Sequence, residues 1–101
     1  MNIQKLMKQA QQAQAQMASI QDELAELTVE ASAGGGMVKV VMTCDQNLRE
    51  LRIDPAAVDP EEVELLEDMI VAAISEASRM ASETAAAKME AVTGGLSLPG
   101  F

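Results

Sequence analysis

The fold is decided by residues 28–54, which read TVEASAGGGMVKVVMTCDQNLRELRID. Polar and apolar side chains alternate over residues 28–32, which predicts a half-buried strand, and the run 37–43 is rich in β-branched residues, which predicts a second strand. Residues 48–53 are predicted to form the third. A triple glycine at 34–36 and the turn-forming run 45–47 separate these strands. Because both connections are short, we predict a three-stranded antiparallel meander.

The central run defines the buried face of this sheet. Val38, Val40 and Met42 fall on one face, and Lys39 falls on the other. The triple glycine lacks the lysine and the downstream spacing of a phosphate-binding loop or a dinucleotide fingerprint. We therefore interpret it as a hairpin turn.

The residues before the sheet predict one long helix over 1–27. Its apolar side chains recur at alternating steps of three and four, which keeps them on one face against a partner. They are Ile3, Leu6, Ala10, Ala13, Met17, Ile20, Leu24 and Leu27. At about 1.5 Å per residue the helix would be near 40 Å long. This is more than a chain of 101 residues can cover, so part of the helix should project or meet a second subunit.

A second helix is predicted after Pro55, which ends the third strand because it cannot donate to a ladder. Asp59 would be its N-cap, Pro60 its first residue, and Glu62 would complete a capping box. Its apolar stripe comprises Val63, Leu66, Ile70, Ala73, Ala77, Met80, Ala87 and Ala91. The pair Gly94-Gly95 is expected to end the helix. These bounds predict a single domain over 1–95 and a mobile tail over 96–101.

The predicted architecture is an α+β fold in the order α-β-β-β-α. Three strands and two long helices cover one another's apolar faces only partly. We therefore expect a homodimer, in which a second copy enlarges the core.

The sequence lacks the combinations of side chains that are typical of catalytic sites and metal-binding sites. The chain contains no histidine, the commonest general base and metal ligand. Cys44 follows a strand directly and has no histidine to activate it, so we interpret it as a small, partly buried residue. The acids of residues 61–68 complement the dipole of a helix start and lack the spacing of a calcium loop. We therefore predict that the protein is not an enzyme and has no metal, cofactor or small-molecule substrate.

Targeting signals are also missing from the sequence. No apolar run reaches the roughly 18 residues of a membrane span, and the first residues contain no uninterrupted apolar stretch typical of a signal peptide. A single cysteine fits a reducing compartment. We expect a cytoplasmic protein without membrane contact.

Charge is distributed unevenly along the chain, whose net charge is −9. Residues 1–20 contain two lysines and no acid, residues 59–76 contain seven acids and no base, and residues 79–101 are balanced. The acidic segments adjoin the predicted sheet, so a polyanion would be accommodated only at the distal ends of the helices. With Phe101 as the one aromatic residue there is no platform for stacking single-stranded bases, whereas duplex DNA requires only cationic and amide contacts to phosphate.

Two hypotheses of function follow. In the first, the protein binds duplex DNA through Lys5 and Lys8 of the first helix and Arg79 and Lys88 of the second. Neutral donors beside them would be Gln4, Gln11 and Gln12, and weaker candidates are Lys39, Arg49 and Arg52, which can instead pair with Glu30 or Glu50 across strands. In the second hypothesis, the protein is an interaction adaptor that uses its heptad stripes and methionines to hold another protein, without binding DNA.

Four stretches resemble the YbaB/EbfC family of nucleoid-associated proteins. They are residues 6–10, residues 36–40 with 47–55, residues 65–74, and residues 88–89 with 94–101. The resemblance covers almost the whole chain. It implies a homodimer shaped like tweezers, with long helices projecting from a joined sheet region. It also implies binding of duplex DNA by the projecting helices in the bacterial nucleoid, with an influence on gene expression or nucleoid organisation.

Overall fold

The computed structural model describes residues 2–96, and the side chains of residues 2–92. Its elements are helix α1 (Ile3–Glu26), strands β1 (Thr28–Ala33), β2 (Val38–Thr43) and β3 (Leu48–Ile53), a 3-10 turn (Pro55–Ala57) and helix α2 (Val63–Leu96). The predicted α-β-β-β-α order is confirmed. The molecule is elongated, with principal dimensions of 70 × 23 × 16 Å.

The sheet is the predicted antiparallel meander, in the order β1-β2-β3. Ala31 lies opposite Val40, and Val40 lies opposite Leu51. The glycine turn has left-handed backbone angles, with φ of +63°, +68° and +91° at residues 34, 35 and 36, a region that glycine enters without a steric penalty. A Cβ at Gly34 would overlap the sulfur of Met69 in α2. The turn therefore requires glycine for two reasons: its backbone is left-handed, and at Gly34 it lies too close to α2 for a side chain.

The main core lies between β2 and α2. Val38, Val40 and Met42 are buried, as their shared face predicts, and pack in one cluster with three alanines of α2, Ala73, Ala77 and Ala81. The three alanines have no exposed surface. Because their side chains are so small, the backbone of α2 lies close to the sheet, over β1 and β2.

A second, smaller core joins the two helices. Ile20 and Leu24 of α1 are buried with Cys44, and Ala85 and Met89 of α2 pack against them. Met69 lies at the glycine-turn end of the sheet, so α2 runs along the sheet and then continues beside the end of α1, antiparallel to it. Cys44 is only 2% exposed, so it is a small core residue that is buried more completely than the partial burial predicted for it.

The first four turns of α1 project beyond this core. Ile3 is 68% exposed and Leu6 is 49% exposed, although both belong to the predicted apolar stripe. The expectation that part of the helix projects is therefore confirmed for a single chain. Neither helix combines the length and apolarity needed to cross a membrane within residues 2–96.

The start of α2 differs from the prediction. Asp59 is not the N-cap: its carboxylate accepts from the N–H of Glu61 at 3.0 Å, and its carbonyl accepts from the N–H of Glu62 at 2.9 Å. These bonds close an isolated turn that contains Pro60. The helix begins only at Val63, because the first bond of helical spacing runs from Leu66 N–H to the Glu62 carbonyl. The predicted capping box is therefore wrong.

The course of α2 also differs in its second half. The buried line follows steps of four through Ala77 and Ala81, whereas the three-four stripe predicted Met80, which is half-buried, and Ala87 and Ala91, which are exposed. A strict heptad pattern drifts around a straight helix by about 20° per heptad, so the later positions of the stripe turn away from the core.

The predicted end of α2 is wrong as well. The helix continues through Gly94 and Gly95 to Leu96, because glycine lowers helix propensity by only about 1 kcal/mol and does not by itself break a helix. The rest of the predicted tail, residues 97–101, lies outside the described residues.

The alanine contact with the sheet can be tested by enlarging one side chain. Ala77→Leu should lower the free energy of unfolding by about 1–3 kcal/mol, since the added carbons have no space between α2 and β2. Ala72→Leu, an exposed neighbour on the same helix, should change it by less than about 0.5 kcal/mol. Urea unfolding at one fixed protein concentration measures both. Equal effects would mean that the contact is not close-packed.

Candidate nucleic-acid interface

The projecting end of α1 carries the first group of predicted contact residues. Lys5, Lys8 and Gln12 are exposed, and their spacing of three and four places them along one face of the helix. Gln4 and Gln11 are also exposed and flank that face. The structure therefore brings all five residues of α1 together on one polar surface, which we call the arm face.

The arm face is electropositive because its cations have no acidic neighbours. Among residues 2–92, neither Lys5 nor Lys8 forms an ion pair. The first acid along α1 is Asp22, fourteen residues and about 21 Å beyond Lys8. The first turn contains no acid, and its N-cap is Asn2, whose side chain accepts from the N–H of Lys5 at 3.2 Å. The partial positive charge of the helix start adds to that of the lysines.

Arg79 of α2 is held by two acids of its own helix. Its Nε lies 3.1 Å from Glu76 Oε2, and its Nη1 lies 2.6 Å from Glu83 Oε1. The hydrogen bond from Arg79, helped by its positive charge, lowers the pKa of the Glu76 carboxyl below its ordinary value. The same two carboxylates raise the pKa of Arg79 further above its ordinary value. The guanidinium is exposed but already neutralised.

Lys88 is paired across the two helices. Its Nζ lies 3.5 Å from Glu23 Oε2 of α1, beside the small core of Ile20 and Leu24. The side chain therefore lies at the base of the projecting segment and is separated from Lys5 and Lys8 by most of the length of α1. The four strongest candidates do not form one cluster: two lie on the arm face and two lie in ion pairs on α2.

The three weaker candidates belong to the sheet. Arg52 lies 3.8 Å from Glu50, one of the two acids named as alternative partners, but the pair lies along one strand and not across two. Arg49 donates instead to the carbonyl of Ala25 in α1, at 3.1 Å. Lys39 lies opposite Arg52 in the register and is exposed on the face of the sheet that α2 leaves open.

This open face forms a shallow groove of about 540 Å³. Its charged lining contains both signs, from Lys39, Arg52, Glu30 and Glu50. A surface of mixed sign attracts a polyanion less than the arm face does, because each cation has a carboxylate nearby. Within the described residues, no group of three or more acidic or cysteine side chains is arranged to hold a metal ion.

The sequence contained one signal that the predicted site did not use. Glu76 and Glu83 lie three residues before and four residues after Arg79, the spacings at which opposite charges meet on a helix. The pairing of Arg79 could therefore have been predicted. The pairing of Lys88 with Glu23 could not, because it depends on how α1 and α2 pack.

The fold and the arm face define a small α+β protein that presents a cationic helical arm. Its sequence matches the YbaB/EbfC DNA-binding family over residues 1–96. The chain belongs to this family, whose members are DNA-binding proteins and not enzymes.

Curated relatives align with nearly the whole chain. A nucleoid-associated protein of Moorella thermoacetica is 54% identical over 100 residues, covering 99% of this chain and 96% of the relative. A nucleoid-associated protein of Acetivibrio thermocellus is 51% identical over 101 residues, covering 99% of this chain and 89% of the relative. The crystal structure of an uncharacterized Helicobacter pylori protein has the same fold, with a TM-score of 0.75 at 19% identity, covering 83% of this chain and 88% of that one.

The pairing of Arg79 predicts a pH response that can be measured without DNA. Because Arg79 lowers the pKa of Glu76, the pair should persist at neutral pH and be lost as the pH falls through that lowered value. Arg79→Gln should return the pKa of Glu76 toward its ordinary value. Carboxyl carbon NMR across an acid titration measures the change, and Lys88→Gln, which removes a cation elsewhere on α2, should leave Glu76 unaffected. A Glu76 pKa that does not move in Arg79→Gln would contradict the pairing.

Proposed function

We propose that this protein binds duplex DNA as a homodimer in the bacterial nucleoid, mainly through phosphate contacts made by its projecting helices. The observation that carries the proposal is the arm face, where Lys5 and Lys8 are exposed, unpaired within residues 2–92 and remote from acids. Family membership and relatives named as nucleoid-associated proteins support it. A role in nucleoid organisation or gene expression would follow from binding of this kind.

Contacts to phosphate suit the chemistry of the arm face. Lysine ammonium groups and glutamine amides donate hydrogen bonds to phosphate oxygens, and such contacts carry little sequence information. Gln4, Gln11 and Gln12 would add neutral donors beside Lys5 and Lys8. Arg79 and Lys88 would contribute only after exchanging a carboxylate for a phosphate.

The proposed dimer rests on an apolar surface beside β3. Leu51 lies opposite Val40 and so belongs to the face that α2 covers elsewhere, yet it is 42% exposed because α2 lies over β1 and β2. Leu48 on the same strand and Val63 and Leu65 at the start of α2 are also exposed. Strand β3 is an edge strand, and open apolar edges are normally covered. A second copy would cover this surface and give the molecule two arms.

The dimer surface can be tested on two successive residues of β3. Leu51→Asn should shift the protein from dimer to monomer at micromolar concentration, since it places an amide where apolar contact with the second copy is expected. Arg52→Asn changes the next side chain, which faces the opposite side of the sheet, and should leave the dimer intact. Sedimentation velocity distinguishes these outcomes. A monomeric wild-type protein would exclude the dimer.

DNA binding can be tested by reversing charge at two separate places. Lys5→Glu with Lys8→Glu should abolish binding of a random duplex at about 50 mM salt, where phosphate contacts are strong, without loss of helicity. Lys39→Glu with Arg52→Glu makes the same change of charge on the open sheet face and should weaken binding much less. Fluorescence anisotropy measures binding, and circular dichroism checks helicity. Equal losses would contradict the assignment to the arm face.

The salt dependence gives a count of the contacts. Each phosphate contact contributes about −0.9 to the slope of log affinity against log salt. Lys5→Gln removes one cationic contact per protomer, and only cationic contacts release counterions, so the slope should become shallower by about 2 per dimer. A wild-type protein that binds no duplex at low salt would favour the adaptor hypothesis, for which the exposed apolar side chains of Ile3 and Leu6 are the supporting feature.

A further inference from the structure

The turn between β2 and β3 contains an unusual backbone conformation. Gln46 has a φ of 72°, in the left-handed region where glycine, asparagine and aspartate predominate. The turn is closed by Gln46 N–H donating to the Thr43 carbonyl at 3.0 Å and by Thr43 N–H donating to the Asn47 carbonyl at 2.8 Å. Glycine is the usual residue at the left-handed position of such hairpin loops. Because glutamine is unfavourable for this backbone conformation, we expect its side chain to make contacts that compensate for the strain.

That side chain is fully engaged with α2. The amide nitrogen of Gln46 donates to the Ser78 carbonyl at 3.0 Å and to the Ser82 hydroxyl at 3.1 Å. The Ser78 hydroxyl donates to the amide oxygen of Gln46 at 2.6 Å. These bonds span one turn of α2, at the point where the helix leaves the sheet. A glycine at this position would relieve the backbone and lose all three bonds.

The same turn region also holds the end of α1. Arg49 donates to the carbonyl of Ala25 at 3.1 Å, one of the last carbonyls of the helix, which have no partner within it. Cys44 N–H donates to the Leu27 carbonyl at 2.8 Å. Residues 43–49 therefore contact α1 on one side and α2 on the other.

We propose that residues 43–49 form a brace that sets the angle between α1 and α2, with Gln46 and Arg49 as its positioning residues. The alanine face of α2 favours this role, because small side chains pack closely but interlock little, which leaves the direction of the helix to other contacts. The brace supplies directional hydrogen bonds at the base of the arm. Arg49 then acts on the arm through Ala25, and not as a contact to phosphate.

The consequence for DNA rests on the proposed function. A fixed angle at the base of α1 holds the arm face in one orientation, so that less conformational freedom is lost when it binds. Loss of the brace should then weaken duplex binding by roughly 3- to 10-fold through lost preorganisation. The angle itself can be measured without DNA, so failure of the brace and failure of DNA binding are distinguishable.

The experiment measures a distance between the helices. Spin labels are attached at Gln9→Cys and Ala72→Cys, both exposed, in a Cys44→Ala background, and labelled protein is diluted with unlabelled protein so that only distances within one protomer are detected. Double electron–electron resonance should give a narrow distribution for the reference protein. Gln46→Gly should broaden or shift it while the Tm changes little, because glycine suits the backbone of this turn. Arg49→Met should also broaden it.

The serine side of the brace supplies the decisive comparison. Ser78→Ala with Ser82→Ala should broaden the distribution as Gln46→Gly does, and adding Gln46→Gly to the serine variants should have little further effect. Unchanged distributions in both variants would overturn the proposal. A distance distribution that broadens in Gln46→Gly but not in the serine variant would also overturn the proposal, since the broadening would then come from the added backbone freedom and not from loss of the amide contacts. Anisotropy with random duplex on the same variants tests the predicted loss of affinity.

Discussion

The close packing of α2 on the sheet is the constraint on which the rest of the structure depends. Ala73, Ala77 and Ala81 are fully buried against the apolar face of β2. A helix that lies this close covers about two strands, and α2 lies over β1 and β2. The inner face of β3 is consequently left open, with Leu51 exposed. The surface proposed for the second copy is thus open because α2 covers only two of the three strands.

The same arrangement separates the charges of the molecule. The acids at the start of α2 precede Met69 and so lie near the glycine-turn end of the sheet, while the two lysines of α1 project from the opposite end, where α1 leads into β1. Asp22 lies about 21 Å from Lys8 along the helix, and electrostatic interactions in solution decay over about 10 Å at 0.1 M salt. A phosphate at the arm face therefore experiences the lysines far more than the net charge of −9. A net negative charge is compatible with binding of a polyanion, because the acids at the start of α2 and the lysines of the arm face lie at different ends of the molecule.

The sequence predicts local structure well and tertiary detail poorly, for physical reasons. The alternation of residues 28–32, the β-branched run 37–43 and the two short turns are sufficient for the strands, their order and the buried face of β2, because they leave few alternatives. The register shift between β2 and β3, where Val41 pairs with Glu50 and Met42 with Leu48, does not follow from them. The rotation of α2 could not be read from its heptad stripe, since a straight helix departs from that spacing and buries Ala81 in place of Met80. The arm face was predictable, because exposed residues near a helix end share a face by spacing alone. The partners of Lys88 and Arg49 could not be predicted, because both contacts are made between elements that are distant in sequence.

The difference between paired and unpaired cations gives an order to the proposed binding. Exposed ion pairs contribute little because solvent and salt screen both partners, so a phosphate can displace Glu76 or Glu83 from Arg79 at small cost. Arg79 does not attract a distant phosphate, however, because its positive charge is offset by the two carboxylates beside it. Lys5 and Lys8 have no such competitor among the described residues. The arm face would thus make the first contact, and the cations of α2 would exchange their carboxylates only once the duplex lies between the arms.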